Sequence, residues 1–284
     1  MIKRNLLIAI LILCSIGIIK GQTVSDSLAI MSARWKVESP QKGIIHKYAS
    51  IPRLYQGTQS VSLIEIEPGA GLKVDIAVSD EMKETSRIAS EHRAAINGSY
   101  FDMKRGNSVC FLKVGNQVVD TTTLSECKLR VTGAMHVHKG KIKLIPWSRQ
   151  IEKEYKGETG IVLASGPLML KDGQICDWNS CGTNFIRTKH PRSAVATTKE
   201  GKILLITVDG RFPEQAEGVN IPELAHLIRI LGGEDALNLD GGGSTTLWLS
   251  GASDDGVVNY PCDNGRFDHA GERKVPNILY ITHQ

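Results

Sequence analysis

The chain has 284 residues, 41% of them hydrophobic, which is enough to build one large domain or two small ones around a sizeable core. Its 34 Lys and Arg residues nearly balance its 30 Asp and Glu residues, and the formal net charge is +4. No basic run of the kind that binds nucleic acid is present, so we expect no nucleic-acid partner.

The first 21 residues have the pattern of a secretory signal peptide. Lys3 and Arg4 precede an apolar stretch over residues 6–19, and Gly21 is a small residue at a plausible cleavage point. The stretch is short for a membrane span, although an uncleaved anchor is the alternative. We therefore expect an exported protein, periplasmic or extracellular, with no stable membrane span in its mature form. Cleavage would remove three basic residues and no acid, lowering the formal charge from +4 to +1.

Five pairs of short segments are separated by glycine-containing turns, a pattern typical of β-hairpins. The predicted pairs are 60–67 with 72–78, 109–114 with 117–121, 134–138 with 141–145, 168–170 with 174–176, and 193–197 with 202–208. The sequence has no internal repeat or long linker. It predicts an α+β fold, a single mixed α/β domain rich in β-hairpins. We expect residues 22–89 to form less regular N-terminal strands that pack on a main domain at 90–284.

Five cysteines would remain after cleavage, so at least one is unpaired or pairs between chains. Cys176 and Cys181 enclose the turn-rich segment Asp-Trp-Asn-Ser. In an oxidising compartment this spacing favours a Cys176–Cys181 disulfide, with free buried thiols as the alternative. The remaining cysteines are Cys110, Cys127 and Cys262, whose pairing the sequence leaves open.

A helix is predicted after Asn220, which can cap it, with Pro222 in its first turn and two glycines at 232–233 as its end. This helix lies between the apolar segments 202–208 and 236–239. A strand-helix-strand unit makes its two strands parallel in most proteins. Asp209 and Asp240 follow these strands directly, so we expect both carboxylates at the same edge of the sheet, where ligands commonly bind.

The most informative segment runs from Ala236 to Leu247, where Asp240 is followed by three glycines and two hydroxyl residues. Three consecutive glycines are costly to order, so a chain that keeps them is bringing bare backbone close to another group. Their N–H groups can form an anion-binding nest. A flexible turn is the structural alternative. The surrounding residues favour a binding site for an oxygen-rich ligand, with the candidates Asn238, Asp240, Gly241, Gly242, Gly243, Ser244 and Thr245.

Polar groups interrupt apolar segments elsewhere in the same way. The blocks, in order, are Asn97-Gly-Ser-Tyr-Phe, Ser165-Gly-Pro, Pro191-Arg-Ser-Ala, Val208-Asp-Gly-Arg, Asn238-Leu-Asp-Gly-Gly-Gly-Ser-Thr and Arg273-Lys-Val-Pro-Asn. This ordered set resembles the phosphodiester glycosidase family over roughly residues 90–282. The Asp-Gly-Gly-Gly-Ser block is the most specific of them, and the Ser-Gly-Pro block is weak alone.

The resemblance implies hydrolysis of a sugar-1-phosphodiester at the glycosidic bond, which releases free sugar and a phosphomonoester. The phosphate leaving group needs stabilisation by cations and N–H groups. Arg192, Arg211 and Arg273 could supply it together with the glycine backbone. Asp240 and Asp209 are the candidate carboxylates for activating water or stabilising an oxocarbenium-like centre. The groups that could hold sugar hydroxyls or an acetamido group are Asn97, Tyr100 and Asn238.

Two other functions use the same residues. A non-catalytic module that binds a phosphorylated glycan would need the arginines and glycines but not both aspartates. An ordinary two-carboxylate glycosidase would need a protonated acid close to the glycosidic oxygen. We expect no required cofactor. Carboxylates, amides and hydroxyls also suit a hard divalent cation, but no calcium-loop pattern assigns one.

Overall fold

The computed structural model describes residues 23–155, 157 and 159–284, so the predicted signal peptide lies outside the described residues. The strands of this part of the chain are β1 (Lys36–Gln41), β2 (Ile44–Leu54), β3 (Gly57–Ile66), β4 (Leu72–Lys83), β5 (Ala94–Asn97), β6 (Leu112–Val114), β7 (Gln117–Asp120), β8 (Gly133–His138), β9 (Lys141–Pro146), β10 (Ile161–Ser165), β11 (Leu168–Lys171), β12 (Gln174–Ile175), β13 (Arg192–Thr198), β14 (Ile203–Val208), β15 (Gly233–Asn238), β16 (Leu247–Leu249) and β17 (Val275–His283). The helices are α1 (Val24–Met31), α2 (Thr85–Ile88), α3 (Leu124–Leu129), α4 (Arg149–Glu154), α5 (Thr183–Arg187) and α6 (Ile221–Ile230).

The strands form three sheets. The largest has the order β1-β2-β3-β14-β13-β15-β11-β12, the second has the order β7-β6-β10-β8-β9, and the third has the order β16-β5-β17-β4. Helices and many strands are thus combined in one α+β fold, as the sequence predicts. None of the helices in the described part of the chain is long and apolar enough to cross a membrane.

The central strands of the large sheet are buried on both faces. Leu204 and Ile206 of β14 pack into one hydrophobic cluster together with Leu224 and Leu227 of α6. Leu205, between them in sequence, packs into a second cluster with residues of the two smaller sheets. Because successive side chains of a strand point to opposite faces, a strand buried on both sides is apolar throughout. This explains why five of the six residues of β14 are apolar, with the buried Thr207 as the exception.

Four of the five predicted hairpins are confirmed. β6 pairs with β7, β8 with β9, β11 with β12, and β13 with β14, all antiparallel. The first predicted hairpin is wrong, because β3 pairs with β2 and β14 whereas β4 pairs with β17 of another sheet. The turn at Pro68-Gly69 therefore connects two sheets. Residues 23–89 also form long regular strands, of 11, 10 and 12 residues in β2, β3 and β4, rather than the less regular part that we expected.

The predicted strand-helix-strand unit is confirmed, and the structure adds that β13 lies between its two parallel strands. Asn220 accepts a hydrogen bond from the Glu223 N–H at 2.9 Å, and the Glu223 side chain accepts one from the Asn220 N–H at 3.0 Å. This reciprocal capping box starts α6 at the predicted position. β14 and β15 are both antiparallel to β13, which lies between them, so they run parallel to each other. Asp209 and Asp240 therefore follow strands that end at the same edge, separated by β13.

The predicted Cys176–Cys181 disulfide is not present, and the five cysteines of the described residues are free thiols. Cys181 is buried in the cluster beneath α6. Cys176 packs against the cluster on the other face of the large sheet. The two cysteines are close in sequence, but their side chains pack in different parts of the core.

Candidate active site

Asp240 lies two residues beyond the end of β15, half-buried, and immediately precedes the glycine loop 241–243. Its N–H donates to the Gly98 carbonyl at 3.0 Å, and its Oδ1 accepts the Gly241 N–H at 3.0 Å. Burial raises the pKa of this carboxyl, while the nearby Ser244 hydroxyl and the positive charges of Arg130 and Arg273 lower it. Asp240 thus lies in a partly dry environment close to two arginines, and we call this region the Asp240 site.

The glycines are required because other groups approach their backbone. A Cβ on Gly241 would lie 2.6 Å from the Pro191 carbonyl oxygen, and the Gly242 N–H donates to that oxygen at 2.9 Å. A Cβ on Gly243 would lie 2.4 Å from Nη2 of Arg273. Gly242 has φ +63, a conformation that favours glycine. The loop thus presents bare backbone beside an arginine.

Arg273 is held next to Gly243 by Asp263. Its Nη2 donates to Oδ1 of Asp263 at 2.5 Å and its Nε to Oδ2 at 3.2 Å, a bidentate pair that fixes the guanidinium plane. The Arg211 side chain comes near Gly242, since a Cβ there would be 3.0 Å from its Nη2. Arg211 is exposed and also contacts the Cys262 thiol at 3.7 Å. Two of the three predicted arginines therefore border the glycine loop.

Arg130 is a cation of this site that sequence reasoning missed. It forms a bidentate pair with Glu126, at 2.6 and 3.1 Å, and its guanidinium lies 3.5 Å from the centroid of the Tyr100 ring. Its charge lowers the pKa of Asp240. Arg130 follows the short helix α3 in a segment without a motif, so no local signal identified it.

Asn238 and Tyr100 use their polar atoms to join three of the motif blocks. The Tyr100 hydroxyl donates to the Gly166 carbonyl at 2.6 Å and accepts from Nδ2 of Asn238 at 2.7 Å. Nδ2 of Asn238 also donates to the Gly166 carbonyl at 2.9 Å, and the Ser165 hydroxyl donates to the Asn238 carbonyl at 3.0 Å. Asn238 Oδ1 is buried and has no hydrogen-bond partner among the described residues.

Asn97 also uses its side-chain amide to connect other protein groups. Its Nδ2 donates to the Asp240 carbonyl at 2.7 Å, and its Oδ1 accepts from the Ser193 hydroxyl at 2.7 Å and from the Thr246 N–H at 3.1 Å. The residue is fully buried. Both ends of the amide are thus occupied by protein groups, and the contact with its carbonyl fixes the backbone of Asp240.

Arg192 lies inside the protein rather than at the glycine loop. It is 2% exposed and donates to the carbonyls of Val219, Phe185 and Thr188 at 3.0–3.2 Å. Burial lowers its pKa to about 10. Its guanidinium lies 4.7 Å from the Phe185 ring centroid. The guanidinium of Arg192 is therefore largely occupied by hydrogen bonds to backbone carbonyls near α5 and α6.

Asp209 is fully buried in a network separate from that of Asp240. Its Oδ2 accepts the Ser60 hydroxyl at 2.7 Å, and its Oδ1 accepts Nδ2 of Asn259 at 2.9 Å and the Tyr260 N–H at 3.0 Å. Burial raises its pKa to about 6, although these hydrogen bonds lower it. Asn259 also donates to the Thr245 carbonyl at 3.1 Å. Asp209 thus supports the segment behind the glycine loop.

The hydroxyl residues after the loop are buried, with Ser244 beside Asp240 and Thr245 1% exposed. Oγ1 of Thr245 has no hydrogen-bond partner within the described part of the chain. In residues 23–155, 157 and 159–284, no group of three or more His, Cys, Asp and Glu side chains could hold a metal ion.

The sequence model of one family, the phosphodiester glycosidases, matches residues 90–282, which is more than half of the chain. This range contains all the residues of the Asp240 site. The chain belongs to the phosphodiester glycosidase family. It is thus a member of a family of hydrolases.

Curated proteins similar to this chain include N-acetylglucosamine-1-phosphodiester alpha-N-acetylglucosaminidases. The human protein is 25% identical over 196 residues, covering 64% of this chain and 36% of the human one. The mouse protein is 34% identical over 82 residues, covering 29% of this chain and 15% of its own. The chain therefore spans about a third or less of the length of these relatives.

Solved structures share the fold. The zebrafish N-acetylglucosamine-1-phosphodiester alpha-N-acetylglucosaminidase catalytic domain, which is auto-inhibited by its pro-peptide, superposes with a TM-score of 0.62 at 19% identity, covering 88% of each chain. A hypothetical protein from Synechocystis superposes with a TM-score of 0.64 at 14% identity, covering 88% of this chain and 64% of that one. At these identities the similarity establishes the fold alone.

Proposed function

We propose that this phosphodiester glycosidase is an exported hydrolase that cleaves a sugar-1-phosphodiester at the glycosidic bond. The observation that carries the proposal is the Asp240 site, where the half-buried Asp240 carboxylate lies beside a glycine loop and within the field of Arg130 and Arg273. The names of the curated relatives suggest an N-acetylglucosamine-1-phosphodiester as the first substrate to test.

The proposed chemistry breaks the bond between the anomeric carbon and the phosphate oxygen. A water molecule adds its oxygen to the anomeric carbon and gives a proton to Asp240, and the phosphate leaves with the bonding electrons. The alternative role for Asp240 is electrostatic stabilisation of an oxocarbenium-like centre. The leaving phosphomonoester carries up to two negative charges near neutral pH, so cations matter more here than a strong general acid.

Arg273 and Arg211 are suited to contact that phosphate, because both border the glycine loop. The Gly241 and Gly242 N–H groups already donate to Asp240 and to the Pro191 carbonyl, so the phosphate contact is assigned to the arginines rather than to the anion nest expected from the sequence. The bidentate contact with Asp263 fixes the guanidinium of Arg273 before substrate binds. We assign positioning roles to Asn97, Tyr100 and Asn238, whose hydrogen bonds hold the backbone around Asp240. The sequence predicted that these three residues would contact the sugar, so the positioning role differs from that prediction.

An ordinary two-carboxylate glycosidase is less well supported. The raised pKa of Asp209, about 6, is a property of a general acid. However, both oxygens of this carboxyl accept hydrogen bonds from Ser60, Asn259 and Tyr260, and the residue is 0% exposed. Asp209 is therefore assigned a supporting role, and Asp240 is the carboxylate of the reaction.

Export is part of the proposal because of the charged start and apolar stretch within residues 1–21. Expression in a host that processes signal peptides, followed by N-terminal sequencing, should give a mature protein that begins at Gln22. A membrane-associated protein that keeps Met1 would support the uncleaved anchor instead.

The decisive assay gives the mature protein N-acetylglucosamine-1-phosphodiester, the matching aryl glycoside and a buffer control. Free sugar and a phosphomonoester are the expected products. Sugar phosphate plus free alcohol would mean that the other phosphodiester bond was cut, and this result would overturn the proposal. Binding without turnover would favour the glycan-binding module. The proposed mechanism uses no cofactor, so EDTA should leave the rate unchanged.

A further inference from the structure

A cavity of about 500 Å³ lies at the edge of the large sheet opposite the Asp240 site. Thr197 near the end of β13 and Ile203 at the start of β14 line it, whereas Arg192 begins β13 and Asp209 follows β14. β14 has six residues, so the two regions are separated by roughly 20 Å along the strands. The volume falls within the range of small-molecule binding sites.

Four lysines give this cavity a positive charge, and we call it the lysine cavity after Lys73, Lys139, Lys141 and Lys143. None of the four forms an ion pair with a carboxylate of the described residues. Lys139, Lys141 and Lys143 are exposed, and Lys73 is half-buried. Four like charges around one cavity repel each other, and an anionic ligand would relieve that repulsion.

The acidic residues of the same cavity do not neutralise these lysines, because each has its own partner. Asp235 accepts a hydrogen bond from Lys171 at 2.8 Å. Glu67 is paired with Lys202 at 2.7 Å. Because these carboxylates are paired with Lys171 and Lys202, the four unpaired lysines leave the cavity positively charged.

The hairpin β8–β9 holds three of the lysines in place. Its turn consists of Lys139 with φ 49 and Gly140 with φ 74, the two left-handed residues of a tight hairpin turn. Lys141 and Lys143 are two residues apart on β9, so their side chains share one face. The Gly140 carbonyl accepts the Val74 N–H at 3.2 Å, which joins this hairpin to the strand that carries Lys73.

The rest of the lining is largely apolar, with Ile66, Leu72, Ile142 and Ile203 among its residues. Apolar walls with a charged rim suit a ligand that has several negative charges and a less polar body. Sugar rings offer such a body through their C–H faces, and phosphate groups carry the charge.

We propose that the lysine cavity binds further phosphate groups of a glycan chain that carries several phosphates, an inference that rests on the proposed function for the nature of the chain. The Asp240 site acts on one phosphodiester, and the cavity holds the same or a neighbouring chain through charge contacts. Such a site raises the affinity for a polyphosphorylated substrate without taking part in the reaction.

Binding of sodium tripolyphosphate, measured by calorimetry at low salt, tests the cavity alone. The triple variant Lys139→Gln, Lys141→Gln, Lys143→Gln removes exposed charges and should keep the fold, which circular dichroism checks. We expect its affinity to fall about tenfold, the effect of losing three exposed charge contacts. The control variant Lys83→Gln, Lys104→Gln, Lys153→Gln removes three exposed lysines outside the cavity and should bind as the unmodified protein does.

Equal affinity in the cavity variant and the unmodified protein would overturn the inference, because tripolyphosphate would then be binding elsewhere, such as at the Asp240 site. A second measurement compares turnover. The cavity variant should hydrolyse a single sugar-1-phosphodiester normally but a multiply phosphorylated oligosaccharide with several-fold lower kcat/KM. Absence of turnover by every protein would refute the proposed function, while the binding result would still decide the cavity.

Discussion

Replacing Asp209 by Asn distinguishes a structural carboxylate from a catalytic one. Asp209 accepts hydrogen bonds from Ser60, Asn259 and Tyr260 and is fully buried. An Asn side chain has the same size, and its oxygen can accept the two N–H groups while its amide faces the Ser60 hydroxyl, which can also accept. We therefore expect Asp209→Asn to fold and to keep kcat/KM at neutral pH within about tenfold, well above the loss that removal of a general base causes.

The same substitution should change how stability depends on pH. The folded carboxyl titrates at about 6 and the ordinary value is 3.8. Between these pH values the folded protein binds more protons than the unfolded chain, so the free energy of unfolding decreases as pH rises. The shift corresponds to about 3 kcal/mol. This stability is fully present below about pH 4 and is lost as pH rises through about 6, and Asp209→Asn removes the dependence.

Urea unfolding of both proteins between pH 4 and pH 7 measures this effect. The variant should gain about 3 kcal/mol relative to the unmodified protein over that range, or roughly 6–12 °C in thermal midpoint. Asp80→Asn is a suitable control because Asp80 is exposed and should leave the difference near zero. Parallel stability curves would refute the raised pKa. A folded Asp209→Asn protein without turnover would refute the supporting role and return Asp209 to the mechanism.

Three further substitutions test the Asp240 site. Asp240→Asn should reduce kcat on the order of a hundredfold or more with little change in substrate binding, since the lost charge acts chiefly in the transition state; near-full turnover would exclude Asp240 from the mechanism. Arg130→Gln should raise the pKa of Asp240 and move the acid limb of the pH profile of kcat/KM to higher pH. The control Lys128→Gln, on the exposed side of α3, should leave that limb where it is. An acid limb that does not move in Arg130→Gln would contradict an electrostatic effect of Arg130 on Asp240. Gly243→Ala should raise KM for the phosphodiester more than it lowers kcat, because the new Cβ would displace the Arg273–Asp263 pair; unchanged KM would show that this pair does not bind the phosphate.

Much of the local structure could be predicted from the sequence because it depends on neighbouring residues. The turns after β6, β8, β11 and β13 contain glycines that allow tight hairpins, and those four hairpins form as predicted. The cap at Asn220 likewise depends on residues within one turn of the chain. The Pro68-Gly69 turn has the same local chemistry, yet β3 and β4 pair with strands far away in sequence.

In the Asp240 site, too, some features follow from the sequence and others only from the tertiary structure. The sequence alone determined that Asp240 precedes a glycine loop and that β14 and β15 deliver two aspartates to one edge, because strand direction follows from the connection. Only the tertiary structure decided that β13 separates them, that Asp209 is closed off by Ser60 and Asn259, and that Arg130 joins the site. Burial, hydrogen-bond partners and the electrostatic field of a side chain arise from residues distant in the chain, and no local pattern encodes them.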